Sequence, residues 1–349
     1  MKLLILNERV DENDAVLGIY TEWINEFASQ LDEVYVVTQW KGKAHLKKNV
    51  HVMSLGKEKG LPKIAQLKNF YRFVNETLPK VDFVLAHMSP VWIILASPLL
   101  RLHNKPSFLF YAHKHVDAKL RLAEKIVKGV FASVPGSISL KSKKVRWVGQ
   151  GIPLHRFPFR KGDRGLPSIL KLVTVGRLTS RKDYVTIIRS CALLDSKVSL
   201  RIVGPALTAD ESSYERIIRQ EVKRLKLEKL VKLVGPIPNK NIPKEYYSAD
   251  ILVNAASRTG ADKVVFEAAC TGCIPVACDP ALRNFLNDSR LVFSPGNDHE
   301  LADVLEGLAR LSSAERNKIR AKMRAKMEKE HNSGVQISRI IAYMKRFIP

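Results

Sequence analysis

Short apolar, β-branched runs alternate along this chain with helix-length amphipathic segments, the pattern of a parallel α/β architecture. In the first half the spacing predicts strands at KLLILN, VYVVTQ, VHVMSL, DFVLAH, PSFLFYAH, GVFASV and KVRWVG. Helical periodicity fills the gaps, notably in GIYTEWINEFASQL and LPKIAQLKNFYRFVNETL. A polar, Gly- and Pro-bearing stretch from Pro153 to Ser168 interrupts the alternation and reads as a linker. The pattern then restarts with KLVTVG, VSLRIVG, VKLVGPI, ILVNAA, IPVACD and LVFSP, and the chain after Ala309 is helical. The fold class expected is α/β: two Rossmann-like, doubly wound parallel-sheet domains facing across a cleft, with ligands at the carboxyl ends of the strands. The boundaries expected are a first domain at 1–155, a linker at 156–168, a second domain at 169–330, and a C-terminal helix at 331–349 crossing back to the first domain.

Composition adds a charge anomaly to an ordinary globular profile. With 58 Lys+Arg against 34 Asp+Glu the net charge is +24, so anionic partners are expected: nucleotide phosphates, a membrane surface or nucleic acid. The excess is uneven. Residues 1–50 carry 6 basic and 8 acidic groups, and residues 101–150 carry 11 and 2. The longest apolar run, VWIILASPLL at 91–100, is far below the roughly 20 residues of a membrane span, and the N-terminus does not read as a secretory signal. Cys270 and Cys273 have the spacing of half a zinc or redox motif, but only Cys278 lies near them and no histidine does. The four cysteines are read as small buried thiols in a reducing cytoplasm. No zinc finger or RNP-type motif accompanies the charge, so no specific nucleic-acid partner is expected.

Two segments carry candidate chemistry. In VTVGRLTSRKDYVTIIR a strand ends at Gly176, and a loop holding Arg177, Arg181 and Lys182 leads into a helix. Cations at the carboxyl end of a strand suit a diphosphate, although a solvated basic turn has the same sequence. In SRTGADKVVFEAACTGCIPVACD a glycine loop opens a helix with one carboxylate, Glu267, among Val264, Val265, Phe266, Ala268 and Ala269. An ionised carboxylate only accepts hydrogen bonds and suits vicinal hydroxyls such as those of a ribose. Left unpaired there it would cost several kcal/mol or take up a proton, so a ligand or a cation is expected beside it.

GRLTSRKD, then VKLVGPIPNKNIPKEYYSADILVNAAS, then GADKVVFEAACTGCIPVACD resemble the donor domain of GT-B glycosyltransferases, specifically the GT4-like (group 1) retaining family. YAHKH at 111–115 and VRWVGQGIPLHRF at 145–157 resemble the same family's N-terminal histidine loop and the strand leading to its linker. The resemblance implies a transferase moving a sugar from a nucleotide-diphosphate sugar to an acceptor hydroxyl, with retention, in cell-envelope or glycoconjugate synthesis. It implies Arg177 and Lys182 at the donor diphosphate and Glu267 at the ribose. It places Gly260, with Lys263 and Val264 beside it, in the loop against the sugar and phosphates. Gly235, Pro236 and Ile237 would form the wall near the nucleobase, His113 would point at the transferred sugar, and Gly18 would lie near the phosphates. Thr259 stands where the family's first glutamate belongs, so either Asp262 takes over the sugar contact or the site has lost catalysis.

No D-x-D motif follows a strand, and DEND at 11–14 reads as a surface run, so neither a catalytic metal nor a resident cofactor is expected. The acceptor is expected to be a glycan or lipid-linked. Residues 41–63 hold seven lysines and one acid ahead of the stripe Ile64, Leu67, Phe70, Tyr71 and Val74. This suits peripheral contact of a cytoplasmic protein with an anionic membrane, and equally a sheet-packing helix with a solvated face. His87 and His115 are weaker strand-end candidates. A sugar-nucleotide epimerase of the same fold and a non-catalytic nucleotide-sugar binder are the competing functions.

Overall fold

The structure, a computed structural model, describes every residue except 15–16, 161, 163–168, 258–259 and 349. The chain divides into two compact units, Met1–Pro153 with Asn332–Pro349, and Leu154–His331. Of the residues expected as a linker, 161 and 163–168 lie outside the described residues.

The first unit contains strands β1 (Lys2–Val10), β2 (Glu33–Lys41), β3 (Val50–Ser54), β4 (Phe83–His87), β5 (Ser107–Phe110), β6 (Gly129–Ala132) and β7 (Val145–Trp147). Its helices are α1 (Tyr20–Gln30), α2 (Lys63–Thr77), α3 (Pro90–Leu102) and α4 (Ala118–Ile126). The strands form one parallel sheet in the order β3-β2-β1-β4-β5-β6-β7. Both faces are covered, which is why the strands read as continuous apolar runs. Leu4 and Leu6 point into a core shared with Phe70 and Val74 of α2, Ile93 and Ala96 of α3, and Leu120 and Ala123 of α4. Leu3 and Ile5 point the other way, toward Trp23, Ile24 and Phe27 of α1. A last helix of the chain closes this second face with Ile337, Ile340, Ile341 and Met344.

The second unit contains β8 (Leu170–Val175), β9 (Val198–Val203), β10 (Val231–Gly235), β11 (Ile251–Asn254) and β12 (Ile274–Ala277). Its helices are α5 (Tyr184–Ala192), α6 (Ala209–Arg224), α7 (Ile242–Ser248), α8 (Lys263–Thr271), α9 (Arg283–Leu286), α10 (Asp298–Arg310) and α11 (Ser313–Lys326). The closing helix of the first unit is then α12 (Ser333–Lys345). The sheet is parallel, ordered β10-β9-β8-β11-β12. Helix starts follow local chemistry: Asp183, Thr208, Asn297 and Asn332 each accept a backbone N–H of the first turn, and Ser312 with Glu315 forms a capping box.

One expected strand is corrected. LVFSP forms no strand: a short helical turn covers Ser289–Leu291, and Val292 makes an isolated bridge to Ala277. The Asp288 side chain accepts from Arg290 N at 3.1 Å and winds the turn, and Pro295 has no N–H with which to extend a ladder.

Candidate functional site

In the second sheet, β8 is followed outward by β9 and β10 on one side, whereas β11 and β12 lie on the other. The strand order therefore reverses between β8 and β11, and the carboxyl ends of these two strands frame the place where such sheets bind ligands. Three glycines end β8, β9 and β10. A Cβ on Gly204 would lie 1.9 Å from the Gly176 carbonyl oxygen, so only glycine lets the two strand ends approach this closely. Tyr184 of α5 donates its hydroxyl to that same carbonyl at 2.8 Å and fixes the start of the basic loop.

The loop's two candidate cations both have carboxylate partners. Arg177 is ion-paired with Glu211 in the first turn of α6. Burial would raise the Glu211 carboxyl, but the Leu207 N–H at 2.6 Å and the Arg177 guanidinium outweigh it and hold the group below its ordinary value. Lys182 is ion-paired with Asp262, which also accepts from Asn254 Nδ2 at 2.8 Å. Asn254 is the last residue of β11, so β8's loop, β11 and the start of α8 are tied together at the point of strand reversal.

The entry to α8 is unusual backbone. Gly260 and Ala261 have φ of +77° and +73°, two consecutive left-handed residues, of which alanine adopts this conformation at a cost. Gly260 N donates to the buried Asp279 carboxylate at 3.0 Å, which ties the loop to the end of β12. Asp262 stands at the N-cap of α8, yet its side chain caps nothing and turns instead to Lys182 and Asn254.

Glu267 lies one turn farther along α8 and is buried, as are Val265, Phe266 and Ala268–Thr271. A cation was expected beside it, and the Lys263 charge acts on it; the structure adds a partner that was not expected, because Tyr246 of α7 donates its hydroxyl to Glu267 Oε2 at 2.9 Å. Burial pushes the Glu267 carboxyl up, with Lys263 and the Tyr246 hydroxyl pulling the other way. Burial lowers the Lys263 ammonium, Glu267 partly offsets this, and the Arg156 charge adds to it. Tyr246, buried and beside Glu267, is raised well above its ordinary value and stays a hydroxyl donor.

The second unit thus brings Arg177, Lys182, Gly260, Asp262, Lys263 and Glu267 to the loops and helix start around one strand reversal. Gly235 ends β10 with φ +81° and gives its carbonyl to Gly204 N at 2.9 Å; Pro236 is exposed, and Ile237 and Val264 are half-buried. Thr259, the position of the family's first glutamate, lies outside the described residues. Sequence reasoning missed Glu211, Tyr246, Asn254, Asp279 and Arg156. Of these only Asn254, a polar residue closing the apolar run ILVN, carried a local signal.

In the first unit Gly18 is buried between β1 and α1, where a Cβ would lie 2.6 Å from the Asp14 and 2.7 Å from the Glu12 carbonyl oxygen. His113 lies in the loop after β5, exposed, with Nδ1 accepting from His115 N at 3.0 Å. His87, at the end of β4, is buried in an aromatic cage with Tyr20, Trp23 and Phe110 at centroid distances of 4.1, 4.9 and 5.5 Å. The four cysteines are free and buried, as expected.

Comparison with known proteins agrees with this layout. Residues 170–310 match the family model described as Glycosyl transferases group 1. No curated protein sequence matches the chain. Among solved structures, Anabaena HepE in complex with UDP-glucose is similar at TM-score 0.77 and 17% identity, over 99% of this chain and 100% of that one. Sucrose-phosphate synthase from Thermosynechococcus elongatus is similar at 0.75 and 16%, over 99% of each chain. The trehalose-6-phosphate synthase OtsA is similar at 0.73 and 13%, again over 99% of each. Residues 170–310, within the second unit, therefore match a group 1 glycosyl transferase model, and the chain as a whole has the GT-B fold of these glycosyltransferases.

Proposed function

We propose that the protein transfers a sugar from a nucleotide-diphosphate sugar to the hydroxyl of a glycan or lipid-linked acceptor, with retention and without a metal ion, in cell-envelope or glycoconjugate synthesis. The observation that carries this reading is the convergence of Arg177, Lys182, Asp262 and Glu267 on the carboxyl ends of β8 and β11. The UDP-glucose complex of HepE supports the choice of donor class.

On this reading the donor diphosphate exchanges places with two carboxylates. Arg177, half-exposed beside a buried Glu211, and Lys182, beside Asp262, transfer their charge to the phosphates. As the glycosidic bond to the diphosphate breaks, negative charge grows on the leaving group, and fixed cations stabilise it where it forms. They thereby take the part that a metal ion plays in other transferases. Glu267, already oriented by Tyr246, accepts from the ribose hydroxyls. Asp262, released from Lys182, takes the sugar contact that the family gives to its first glutamate. In the first unit the proposal extends to Gly18 near the phosphates and His113 at the transferred sugar, on the resemblance alone.

A thermal-shift panel of UDP, GDP, ADP and their sugar conjugates, on wild type and Glu267→Ala, tests the reading. A ligand at about 100 times its Kd adds roughly 2.7 kcal/mol of stability. Stabilisation by one nucleotide family and its loss in the variant are expected; no response to any nucleotide would overturn the proposal. NMR of the product's anomeric proton reads retention, and unchanged turnover in EDTA is expected.

A further inference from the structure

The outer surface of α2 has no part in the donor site, and it combines two features that are seldom adjacent. Phe70, Val74 and Thr77 fix the helix on the sheet. Its first turns instead hold two large aliphatic side chains in solvent, Ile64 at 84% exposure and Leu67 at 42%, three residues apart on the helix surface. Around them the charge is almost all of one sign. Residues 57–72 contain Lys57, Lys59, Lys63, Lys68 and Arg72 against the single acid Glu58, and all five basic residues are exposed. Glu58 is occupied locally: it accepts from the Ser54 hydroxyl at 2.7 Å and from the Lys41 N–H at 3.3 Å, and is held below its ordinary value. Lys63 and Lys68 flank the aliphatic pair along the helix, and the Gly56–Gly60 turn presents Lys57 and Lys59 just ahead of it.

We infer that this end of α2, with the turn before it, is a docking surface for an anionic lipid bilayer: Ile64 and Leu67 enter the headgroup region while the lysines pair with lipid phosphates. Charge complementarity and the exposed aliphatic pair argue together, because an exposed aliphatic residue among cations gains from both parts of a bilayer interface. Nucleic acid would use the cations and leave Ile64 and Leu67 in water. The inference rests on the proposed lipid-linked acceptor for its purpose, but not for its measurement.

Flotation with vesicles tests it, using phosphatidylcholine alone and phosphatidylcholine containing about one third phosphatidylglycerol. The wild type is expected to float only with the anionic vesicles. Each basic residue near such a surface is worth about a fivefold change in partition, so Lys63→Glu with Lys68→Glu lowers it at least about 30-fold. Ile64→Ser with Leu67→Ser removes the binding that survives high salt. The opposite edge of the same sheet supplies a charge-matched control: Lys141→Glu with Lys143→Glu, just ahead of β7 and its exposed last residue Trp147, leaves partition within about twofold. No flotation with anionic vesicles would overturn the inference. Equal losses at the two edges would overturn it as diffuse electrostatics. Binding insensitive to Ile64 and Leu67 and displaced by an RNA homopolymer would overturn it in favour of nucleic acid. Nucleotide binding measured without vesicles, sensitive to Glu267→Ala and indifferent to every α2 variant, separates a failure here from a failure of the donor site.

Discussion

Every buried aspartate, glutamate and arginine among the described residues lies in the second unit: Arg160, Glu211, Glu221, Asp250, Glu267, Asp279, Arg316 and Arg320. The buried polar groups of the first unit are Asn7, Gln336, His87 and a set of serines and threonines. Both units are parallel sheets sandwiched by helices, so topology does not account for the difference. Burying a charge costs several kcal/mol unless it is paired and hydrogen-bonded. The second unit meets this in two ways. Away from the strand reversal, charges are joined to one another or to backbone, as Arg160 is to Asp250 and Arg316 to the Leu311 carbonyl. At the reversal, Arg177 and Lys182 are paired with Glu211 and Asp262, the carboxylates that the proposed donor diphosphate would replace. Buried charge alone therefore does not single out the candidate site; paired charge at the carboxyl ends of β8 and β11, where parallel sheets of this kind bind ligands, is what nominates it.

The structural pairs give the largest expected effects. Asp250→Ala leaves Arg160 as a buried charge without its carboxylate at 3.6 Å and takes the acceptor from Lys171 N at 3.1 Å. A loss of about 3–5 kcal/mol is expected in urea unfolding, carried by the second unit, with the near-ultraviolet signal of the first unit's tryptophans retained longest. Simultaneous loss of both signals would break the comparison, because the charge would then support the whole molecule.

At the site, Glu267→Ala should weaken the stabilising nucleotide about 100-fold, roughly 2.7 kcal/mol, by removing a charged acceptor from the ribose hydroxyls. Lys182→Met should instead lower kcat by a factor of about 100 with a smaller change in KM, because its charge acts most on the departing diphosphate. Equal losses in kcat and in donor affinity would reduce Lys182 to a ground-state binder.

Acid sharpens the contrast between units. Hydrogen bonds from Arg224, and from Arg189, lower the Glu221 carboxyl to about 2. A depressed carboxylate stabilises the fold above its ordinary value near 4.3, and that contribution is lost as pH falls through about 2. The second unit should lose stability between those pH values, and Glu221→Gln should flatten the decline as read by thermal melts across the range.

Fold and site were legible to different depths, for one physical reason. A parallel strand covered on both faces must be apolar at every position, so runs such as LLIL and LVTV announce themselves from composition alone. LVFSP obeys the same composition and failed: Leu291 and Phe293 are buried, but pairing with β12 stops at the single bridge from Val292 to Ala277. The site's cations and Glu267 were legible through spacing within single loops. Their partners were not: Tyr246 is 21 residues from Glu267, Glu211 is 34 from Arg177, and Asp262 is 80 from Lys182. Pairing across such separations is made by the sheet, and nothing local encodes it.

The smallest expected effect concerns the bend into α8. Ala261 at φ +73° follows Gly260 at +77°, and an L-residue there carries about 1–2 kcal/mol of steric cost. Ala261→Gly removes that cost but adds about 0.4–1 kcal/mol of chain entropy to the unfolded state, so the melting temperature should rise by a degree or two at most. The donor side should move the opposite way. The bend turns Asp262 back to Lys182 and Asn254, and a glycine there lets the loop sample arrangements in which that carboxylate and Glu267 do not face one ligand. Nucleotide affinity should then fall about two- to fivefold by calorimetry while stability is unchanged or higher. A variant that is both more stable and equally tight would show that the strain at Ala261 serves only the turn, and that Asp279, through its bond to Gly260 N, already sets the geometry of the loop.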